Sequence, residues 1–469
     1  MKNKLKVFID PILQEFEAPA MAAIREVIET AGWQIEQGSV ESECEITYSD
    51  SQVNNNIFSF AGYDAWSALH TSTPIQTNKD EIVPSRAVIV KDGVTKIDWV
   101  MVAHFFLCGI YERDPECIEK NGIPGIGALK WGIGNIPILN HIALKAAKAL
   151  CNSKNIPAPK PMWPFGKSWA VSISHDCDRL FKYRTQSFFA DSILEFKRGK
   201  YLSSLVSFSK GLFSTGASLV KDDPYYSSWV KWIQVEANLG IRSAYYIGTW
   251  NRFDKQSTYD DIRYSPKNDK LKQIVNKLIS GGWEIGLHSA TLAWKYENRF
   301  EIEKNRFKEY FGVIPTGIRG HLWSLNPNCP IDSIARIKSA GFCYDSSLGM
   351  NLIHGFRRGA AYPFKPYDDQ NGTSFGLWEL PPIMMDYSLF KSGNSNKERI
   401  KSFQFRLESV KKYNGLMLLD WHEYVLSDKI MDGLGLKICD ELKSIKDDKQ
   451  CWFATPMEIY DWCAKKRWD

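Results

Sequence analysis

The sequence predicts an α/β protein in which a large C-terminal barrel follows a smaller N-terminal α/β domain. The 469 residues exceed what a single ordinary core holds, which favours at least two domains. From residue 168 onward, short apolar runs of strand length alternate with longer stretches of helical periodicity, a pattern typical of a mainly parallel sheet. The polar stretch between the two regions is rich in proline and favours an extended linker, because it contains Pro157, Pro159, Pro161 and Pro164.

The N-terminal domain is expected over residues 1–150, with the proline-rich linker over 151–167. Its apolar pattern predicts strands at 4–9, 44–48 and 87–89 and helices at 19–31, 99–111 and 136–150. No motif assigns this domain a role. The sequence therefore leaves open whether it packs on the barrel, binds a partner or adds substrate specificity.

The barrel is expected over residues 168–469. Its predicted strands are 169–174, 243–247, 283–287, 316–319, 377–380, 416–419 and 452–454. Its predicted helices are 188–196, 202–213, 225–239, 269–280, 300–311 and 331–340, and a capping box at Thr455 with Pro456 behind it opens the last one. About seven such units predict a distorted (β/α)7-type barrel, whose chemistry lies at the C-terminal ends of the strands.

Composition argues against several functional classes. The chain has 59 Lys and Arg residues against 54 Asp and Glu residues and no dense basic run, so nucleic-acid binding is not expected. The longest apolar run, 99–111, is too short to span a bilayer, and no signal-peptide core follows the first lysines, so no membrane insertion is expected. Ten cysteines without a CxxC pair predict reduced thiols in a cytoplasmic protein. Protein partners and oligomeric state cannot be inferred.

Polar residues cluster where predicted strands end. Asp176 and Asp178 follow the first barrel strand, although Asp178 taken alone is equally well explained as the cap of the next helix. The chain has only eight histidines, and half of them lie at predicted strand ends of the barrel: His175, His288, His321 and His422. Because such strand ends meet at one mouth, these residues are expected to converge. The other four are expected to be structural or surface residues: His70, His104, His141 and His354.

The residue types indicate metal-assisted hydrolysis. One carboxylate and two imidazoles form a common ligand set for a catalytic divalent metal, most often zinc, and Asp178, His288 and His321 supply that set. A water bound to such a metal has its pKa lowered to roughly 7 and becomes a nucleophile. Asp176 is placed to accept its proton and His422 to protonate the leaving group.

At these clusters the sequence resembles the polysaccharide deacetylases, the NodB-homology group also called carbohydrate esterase family four, over about residues 165–469. The resemblance implies that Asp176 is the base, that Asp178 binds the metal and that His422, in Leu419-Asp-Trp-His422, is the general acid. Its other motifs match His288-Ser289, Arg319 and Met385-Asp386, and they imply catalytic roles for Arg319, which orients Asp176, and for Asp386. Two further motifs, Tyr344-Asp-Ser-Ser-Leu-Gly349 and Gly355-Phe-Arg-Arg-Gly359, resemble a bacterial branch with an additional N-terminal domain and a link to surface-polysaccharide biosynthesis.

One position departs from the family pattern. The second motif usually ends in another histidine four residues after the first, and here that position is Leu292. Either His321 or His175 could replace the missing ligand. If neither does, the barrel is a silent sugar- or partner-binding relative.

The leading hypothesis is therefore a metal-dependent deacetylase that acts on an N- or O-acetylated sugar. The alternatives are the silent binding module and an amidase that acts on a non-sugar acylated amine. Several tryptophans near strand ends are equally consistent with sugar stacking and with packing: Trp250, Trp294, Trp323, Trp378 and Trp421. The pair Arg357-Arg358 is expected to be a solvated surface pair.

Overall fold

The computed structural model describes residues 4–50, 58–78, 81–91, 93–119, 122–152, 156–183, 185–197, 199–220, 222–427 and 430–468. The N-terminal region is built on a small parallel sheet with its first strand in the centre, made of β1 (Lys4–Ile9), β2 (Gln34–Gln37) and β3 (Ile46–Tyr48). Helix α1 (Glu17–Ala31) buries Ile24, Val27 and Ile28, which lie at helical spacing on one face. Gly32 ends this helix in the left-handed conformation, with φ 115°.

The rest of the N-terminal region comprises two antiparallel hairpins and four helices. They are α2 (Tyr63–Ser67), β4 (Pro74–Asn78), β5 (Glu81–Pro84), β6 (Val88–Lys91), β7 (Val94–Ile97), α3 (Trp99–Cys108), α4 (Ile126–Lys130) and α5 (Ile138–Cys151). Helix α3 begins at Asp98, whose carboxylate accepts hydrogen bonds from the backbone N–H groups of Val100 and Met101. It is buried almost all round, as an apolar run of this length predicts.

The C-terminal region is a barrel of parallel strands. In chain order these are β8 (Trp169–Cys177), β9 (Ala244–Ile247), β10 (Glu284–Ser289), β11 (Gly317–Gly320), β12 (Tyr344–Asp345), β15 (Trp378–Glu379), β16 (Met384–Met385), β17 (Leu416–Asp420) and β18 (Cys451–Phe453). Between β12 and β15 the chain forms a small antiparallel hairpin of β13 (Tyr367–Asp368) and β14 (Thr373–Ser374), outside the barrel sheet. The barrel strands lie side by side in the order β15-β12-β11-β10-β9-β8-β17-β16, and β18 pairs with the start of β8.

One short segment closes the sheet into a barrel. The two edge strands, β15 and β16, are consecutive in the chain and separated by residues 380–383 only. Leu380 N–H donates to the Asp345 carbonyl on one edge, and Ile383 N–H donates to the Leu418 carbonyl on the other, both at 2.9 Å. The segment from β15 to β16 occupies one position around the barrel, and the strands β8 to β12 and β17 occupy six more. These seven positions confirm the predicted (β/α)7-type barrel.

Helices cover the outside of the sheet. They are α6 (Thr185–Lys197), α7 (Tyr201–Val220), α8 (Pro224–Leu239), α9 (Asp269–Ser280), α10 (Arg299–Phe311), α11 (Pro330–Ser339), α12 (Asp386–Lys391), α13 (Asn396–Lys412), α14 (Leu434–Asp447) and α15 (Pro456–Asp461). The predicted capping box opens α15, because the Thr455 hydroxyl accepts from Glu458 N–H at 3.2 Å and the Glu458 carboxylate accepts from Thr455 N–H at 2.8 Å. Gly281 follows α9 as predicted.

The Arg357-Arg358 pair is buried, so the prediction that it is a solvated surface pair is wrong. Both guanidinium groups bind the buried carboxylate of Glu112 in the N-terminal region, at distances of 2.7 to 2.9 Å. The two arginines therefore fasten the N-terminal region to the barrel. The spacing of charges along the chain could not reveal this, because the partner lies 245 residues away.

The proline-rich segment runs along the N-terminal region. Trp33 donates its indole N–H to the Pro157 carbonyl at 2.7 Å, and Lys160 N–H donates to the Gly32 carbonyl at 2.8 Å. The division into two domains at 151–167 stays a prediction, and residues 153–155 of that stretch lie outside the described residues.

Candidate active site

The first barrel strand delivers the two aspartates. Strand β8 is buried along its whole length, and Asp176 and Asp178 follow each other at its end with the alternation of a strand. The backbone N–H groups of Asp178 and Arg179 both donate to the carboxylate of Glu423, at 3.2 and 2.8 Å. Asp178 does not cap the next helix, which begins only at Thr185. Glu423 instead holds the turn that presents the Asp178 carboxylate to the barrel mouth.

Two histidines from the ends of β10 and β11, which lie beyond β9 in the sheet, meet Asp178. His288 lies in β10 and its Nε2 is 3.2 Å from Asp178 Oδ1, while His321, directly after β11, places its Nε2 at 3.3 Å from the same oxygen. One donor atom from each residue lies within 4.8 Å of the others. Asp178 Oδ1 and His288 Nε2 are buried without a hydrogen-bond partner among the described residues.

This arrangement fits a divalent cation. A buried polar atom without a partner is costly in a folded protein, and here two such donors face each other at distances a shared ion would bridge. The donor set of one carboxylate and two imidazoles, from the ends of β8, β10 and β11, suits zinc. His175 does not belong to this set, because its Nδ1 bonds the Trp421 carbonyl at 2.9 Å and its Nε2 bonds Glu236 at 2.8 Å.

The second nitrogen of each histidine is engaged behind the site. His288 donates from Nδ1 to the Arg319 carbonyl at 3.1 Å, which leaves Nε2 free as a lone-pair donor. His321 Nδ1 lies 3.3 Å from the Thr291 hydroxyl and 3.7 Å from the Asp261 carboxylate. These contacts fix the orientation of both rings.

Arg319 anchors Asp176. Its Nη1 is 2.9 Å from Asp176 Oδ1 and 3.1 Å from Asp420 Oδ1, all three side chains being buried. Burial raises the pKa of Asp176, but the charges of His288 and Arg319 outweigh it and hold that pKa below its usual value. Burial, together with the charge of Asp176, raises the pKa of Asp420 well above its usual value. Asp176 is therefore the ionised member of this acidic pair.

His422 forms a second pair with Asp386. Its Nδ1 lies 2.9 Å from Asp386 Oδ2, and its backbone N–H donates to the same oxygen at 2.6 Å. Its Nε2 faces the site, 3.5 Å from Asp178 Oδ2. Burial lowers the pKa of His422, but the carboxylate of Asp386 outweighs it and raises that pKa well above its usual value. His422 is thus held as an imidazolium.

The charges at the ligand cluster are strongly coupled. Burial raises the pKa of Asp178, yet the imidazoles of His321, His288 and His422 hold it well below its usual value. The pKa of His321 is about 10, because the charge of Asp178 outweighs the effect of burial. An ionised carboxylate therefore lies beside a protonated imidazole, and a cation bound by these residues would compete with that proton.

A pocket of about 350 Å³ opens above these residues. It is lined by Asp176, Asp178, Arg179, His321, Leu322, Trp323, Asn351, Met385, Tyr387, His422 and Tyr424. Of the five tryptophans considered for sugar stacking, Trp323 lines this pocket, and its indole N–H donates to Asp420 at 3.2 Å. Leu322 and Trp323 both have positive φ, 57° and 51°, a backbone strain that is typical of functional turns.

Three supporting carboxylates were missed at the sequence level. Asp420 lies within the motif Leu419-Asp-Trp-His422 and Glu423 directly follows it, so their position beside His422 was the available signal. Asp261 lies in an irregular loop and accepts hydrogen bonds from Thr291 N–H at 2.8 Å and from Thr258 N–H at 2.7 Å. No pattern in the sequence marks that loop.

No family model matches the chain, and no curated protein matches it. Among solved structures it is similar to a protein of Mycobacterium smegmatis provisionally assigned as a polysaccharide deacetylase, with 16% identity over 65% of this chain and 93% of that one and a TM-score of 0.42. It is also similar to the PuuE allantoinase, with 11% identity, 66% and 95% coverage and a TM-score of 0.41. A third similar structure is a protein of Pseudomonas aeruginosa PAO1 that is provisionally assigned as a polysaccharide deacetylase. It is 10% identical over 66% of this chain and 96% of that one, with a TM-score of 0.41.

Proposed function

We propose that this chain is a metal-dependent hydrolase that removes an acetyl group from the nitrogen or oxygen of a sugar, in the synthesis of a surface polysaccharide. One observation supports this above all. The Asp178–His288–His321 cluster, the Arg319-anchored Asp176 and the Asp386-anchored His422 converge at one end of the barrel, where three of these side chains line a single pocket with Asp178.

Asp178, His288 and His321 would hold the metal, with zinc the best fit to this donor set. When bound, such a metal polarises the acyl carbonyl and lowers the pKa of a water molecule. His321 takes the place of the family's usual second-motif histidine in this proposal, since Leu292 cannot coordinate a metal and His175 is engaged elsewhere. The missing motif residue therefore does not by itself make the barrel silent.

Asp176 acts as the general base. It is ionised, because Arg319 and His288 stabilise its charge, and it lies beside the ligand cluster, with Oδ2 3.8 Å from His288 Nε2. Arg319 fixes the orientation of the carboxylate through Oδ1 and leaves Oδ2 directed to the site. A carboxylate held in this way accepts a proton without reorganisation.

His422 acts as the general acid. Asp386 occupies Nδ1 and keeps the ring charged, so the proton on Nε2 faces the pocket. The leaving amine or alkoxide of an acetylated sugar must be protonated as the acyl bond breaks. The aromatic rings of Trp323, Tyr387 and Tyr424 at the pocket wall offer apolar faces on which the sugar ring can pack.

The test is a metal analysis of the purified chain together with Asp178→Ala and His321→Ala. We expect about one zinc ion per chain in the wild type and loss of metal from both variants, with loss of hydrolysis of acetylated sugars. The matched controls are Asp447→Ala and His70→Ala, which change exposed residues outside the pocket and the ligand cluster and should keep the metal.

Three outcomes would contradict the proposal in different ways. Metal retained in His321→Ala would remove that residue from the ligand set. A wild type without metal and without hydrolytic activity would identify the barrel as a silent binding module. Hydrolysis of small acylated amines but not of acetylated sugars would replace the sugar substrate by an amide.

A further inference from the structure

An extra helical hairpin interrupts the first βα unit of the barrel. Between β8 and β9 the chain forms three helices, and α8 alone completes the unit, since its Trp229 and Trp232 are fully buried against the barrel. Helices α6 and α7 pack mainly against each other. We call this pair the α6–α7 hairpin. It leaves the barrel just after Asp178, at the rim that carries the pocket.

The inner face of α7 is small and polar. Four residues at helical spacing are buried there: Ser204, Ser207, Gly211 and Ser214. Ser204 donates to the Ser192 carbonyl of α6 at 2.8 Å, and Ser207 donates to the Glu195 carboxylate at 2.8 Å. A Cβ atom on Gly211 would lie 2.6 Å from the Phe189 ring, so the two helices approach as closely as glycine allows.

The outer face of α7 is apolar and exposed. Leu202, Leu205 and Phe213 are 78%, 65% and 72% exposed, and they lie on one side of the helix, opposite the serines. The same surface continues with other exposed residues of the hairpin: Ile193, Phe196, Tyr201, Val206, Phe208 and Leu212. A helix in water buries its apolar stripe and exposes its polar one. The α6–α7 hairpin does the reverse, which is the arrangement of helices that pack in a lipid environment through small residues.

The charges of the hairpin follow the same division. Its two acidic residues turn inward, where Asp191 pairs with the buried Arg252 of the rim loop after β9 and Glu195 accepts from Ser207. Lys200, at the turn between the helices, and Lys210, in α7, are exposed. The outer surface therefore combines large apolar side chains with cationic ones.

We propose that the outer face of the α6–α7 hairpin lies flat on an anionic lipid bilayer. The apolar side chains enter the boundary between headgroups and acyl chains, and the lysines meet lipid phosphate groups. Within the described parts of the chain, no helix has the length and apolarity needed to cross a bilayer. Because the hairpin begins at Thr185, seven residues beyond Asp178, docking brings the pocket-bearing end of the barrel near the lipid surface.

Charge favours a bilayer over a second copy of the chain as the occupant. A symmetric dimer through this face would place the same patch on both sides, so the interface would contain Lys200 and Lys210 of both copies. Like charges brought together at an interface oppose association. An anionic surface instead complements them.

The test measures co-sedimentation of the full chain with vesicles made of equal parts phosphatidylglycerol and phosphatidylcholine, and with vesicles of phosphatidylcholine alone. The wild type should bind the anionic vesicles more tightly than the neutral ones, and Lys200→Glu/Lys210→Glu should lower its affinity for anionic vesicles roughly tenfold or more. The triple variant Leu202→Gln/Leu205→Gln/Phe213→Gln should lose roughly 100-fold in affinity for them.

The matched control is Val90→Gln/Ile126→Gln/Phe405→Gln, which removes three exposed apolar side chains elsewhere and should bind as the wild type does. Far-ultraviolet circular dichroism and metal content test whether both triple variants are folded. The readout is vesicle binding and does not depend on hydrolytic activity. The proposal is overturned if the wild type binds neither vesicle, or if the hairpin and control triples bind equally. A wild-type dimer that dissociates only in the hairpin triple and ignores vesicles would overturn it in favour of a second copy.

Discussion

The buried carboxylate of Glu112 carries a large share of the contact between the N-terminal region and the barrel. It accepts hydrogen bonds from Arg357 Nε, Arg358 Nε and Arg358 Nη2 at 2.9, 2.9 and 2.7 Å, and from the Tyr111 hydroxyl at 3.1 Å. Both guanidinium groups are at most 1% exposed. The substitution Glu112→Gln keeps the shape of the side chain and removes its charge, which leaves two buried cations without their counter-charge.

The expected loss is large because, among the described residues, no other carboxylate forms an ion pair with either arginine. The other hydrogen-bond partners of the two side chains are the carbonyls of Gly122 and Leu107, which are neutral. Removing one partner of a buried ion pair costs about 3–5 kcal/mol. Burial raises the pKa of Glu112, but the two arginines outweigh it and hold that pKa below its usual value. Its stabilisation is therefore present above the usual pKa and lost as the pH falls through the folded-state pKa.

The assay is urea unfolding at neutral pH, followed separately in the two regions by tryptophan fluorescence and limited proteolysis. The control is Asp369→Asn, which breaks the more exposed Arg113–Asp369 ion pair between the same two regions and should cost about 0.2–1 kcal/mol. The difference between wild type and Glu112→Gln should shrink at acidic pH. Equal losses in the two variants at neutral pH would refute the assignment of Glu112 as the main fastener.

The site gives three more predictions. Asp386→Asn removes the charge that raises the pKa of His422, so the general acid should lose its proton at lower pH. The alkaline limb of the kcat/KM profile should therefore move to lower pH. An unchanged limb would show that His422 is not the general acid. Glu423→Gln weakens the hydrogen bonds that hold the turn of Asp178 but replaces none of the proposed ligand residues. Competition with a chelator should show roughly 10- to 100-fold weaker metal binding. His175→Ala should keep its metal in elemental analysis and yet unfold at lower urea, because it loses two buried hydrogen bonds worth about 1–3 kcal/mol.

The long elements of the barrel could be predicted because their periodicity is local. Strands such as β8 and β17 and helices such as α9 and α10 extend over enough residues to show an apolar pattern. Strand β15 lies within the predicted strand 377–380. Strand β16 and the closure between the two were not predicted, since β16 has two residues and no alternation to read. Helix α7 shows a subtler limit. Its apolar spacing predicts the helix correctly, but spacing does not reveal whether protein, lipid or solvent covers that face.

The site was predictable to the extent that strand ends meet. Asp176, Asp178, His288, His321 and His422 do converge, as their positions after β8, β10, β11 and β17 implied. His175 shows what strand ends alone cannot decide. Neighbouring residues of a strand point to opposite faces, so Asp176 and Asp178 share the inner face while His175 points outward to Glu236 of α8. The alternation was readable in the sequence, and it excludes His175 on the same grounds that favour the two aspartates.

The three histidines of the site, His288, His321 and His422, differ in the charge of the group that contacts their Nδ1 atom. We expect this difference to give them different roles. His288 is backed by the neutral Arg319 carbonyl, which fixes the ring and leaves it suited to coordinate a metal. His422 is backed by the carboxylate of Asp386, which favours the protonated form and suits an acid. His321 lies between these cases, because the charge that raises its pKa to about 10 belongs mainly to Asp178. A cation at Asp178 would compete directly with the proton on His321. Metal binding and proton release are therefore linked chiefly at His321. At His422 the link is weaker, because the charge that does most to raise its pKa is that of Asp386 and not that of Asp178.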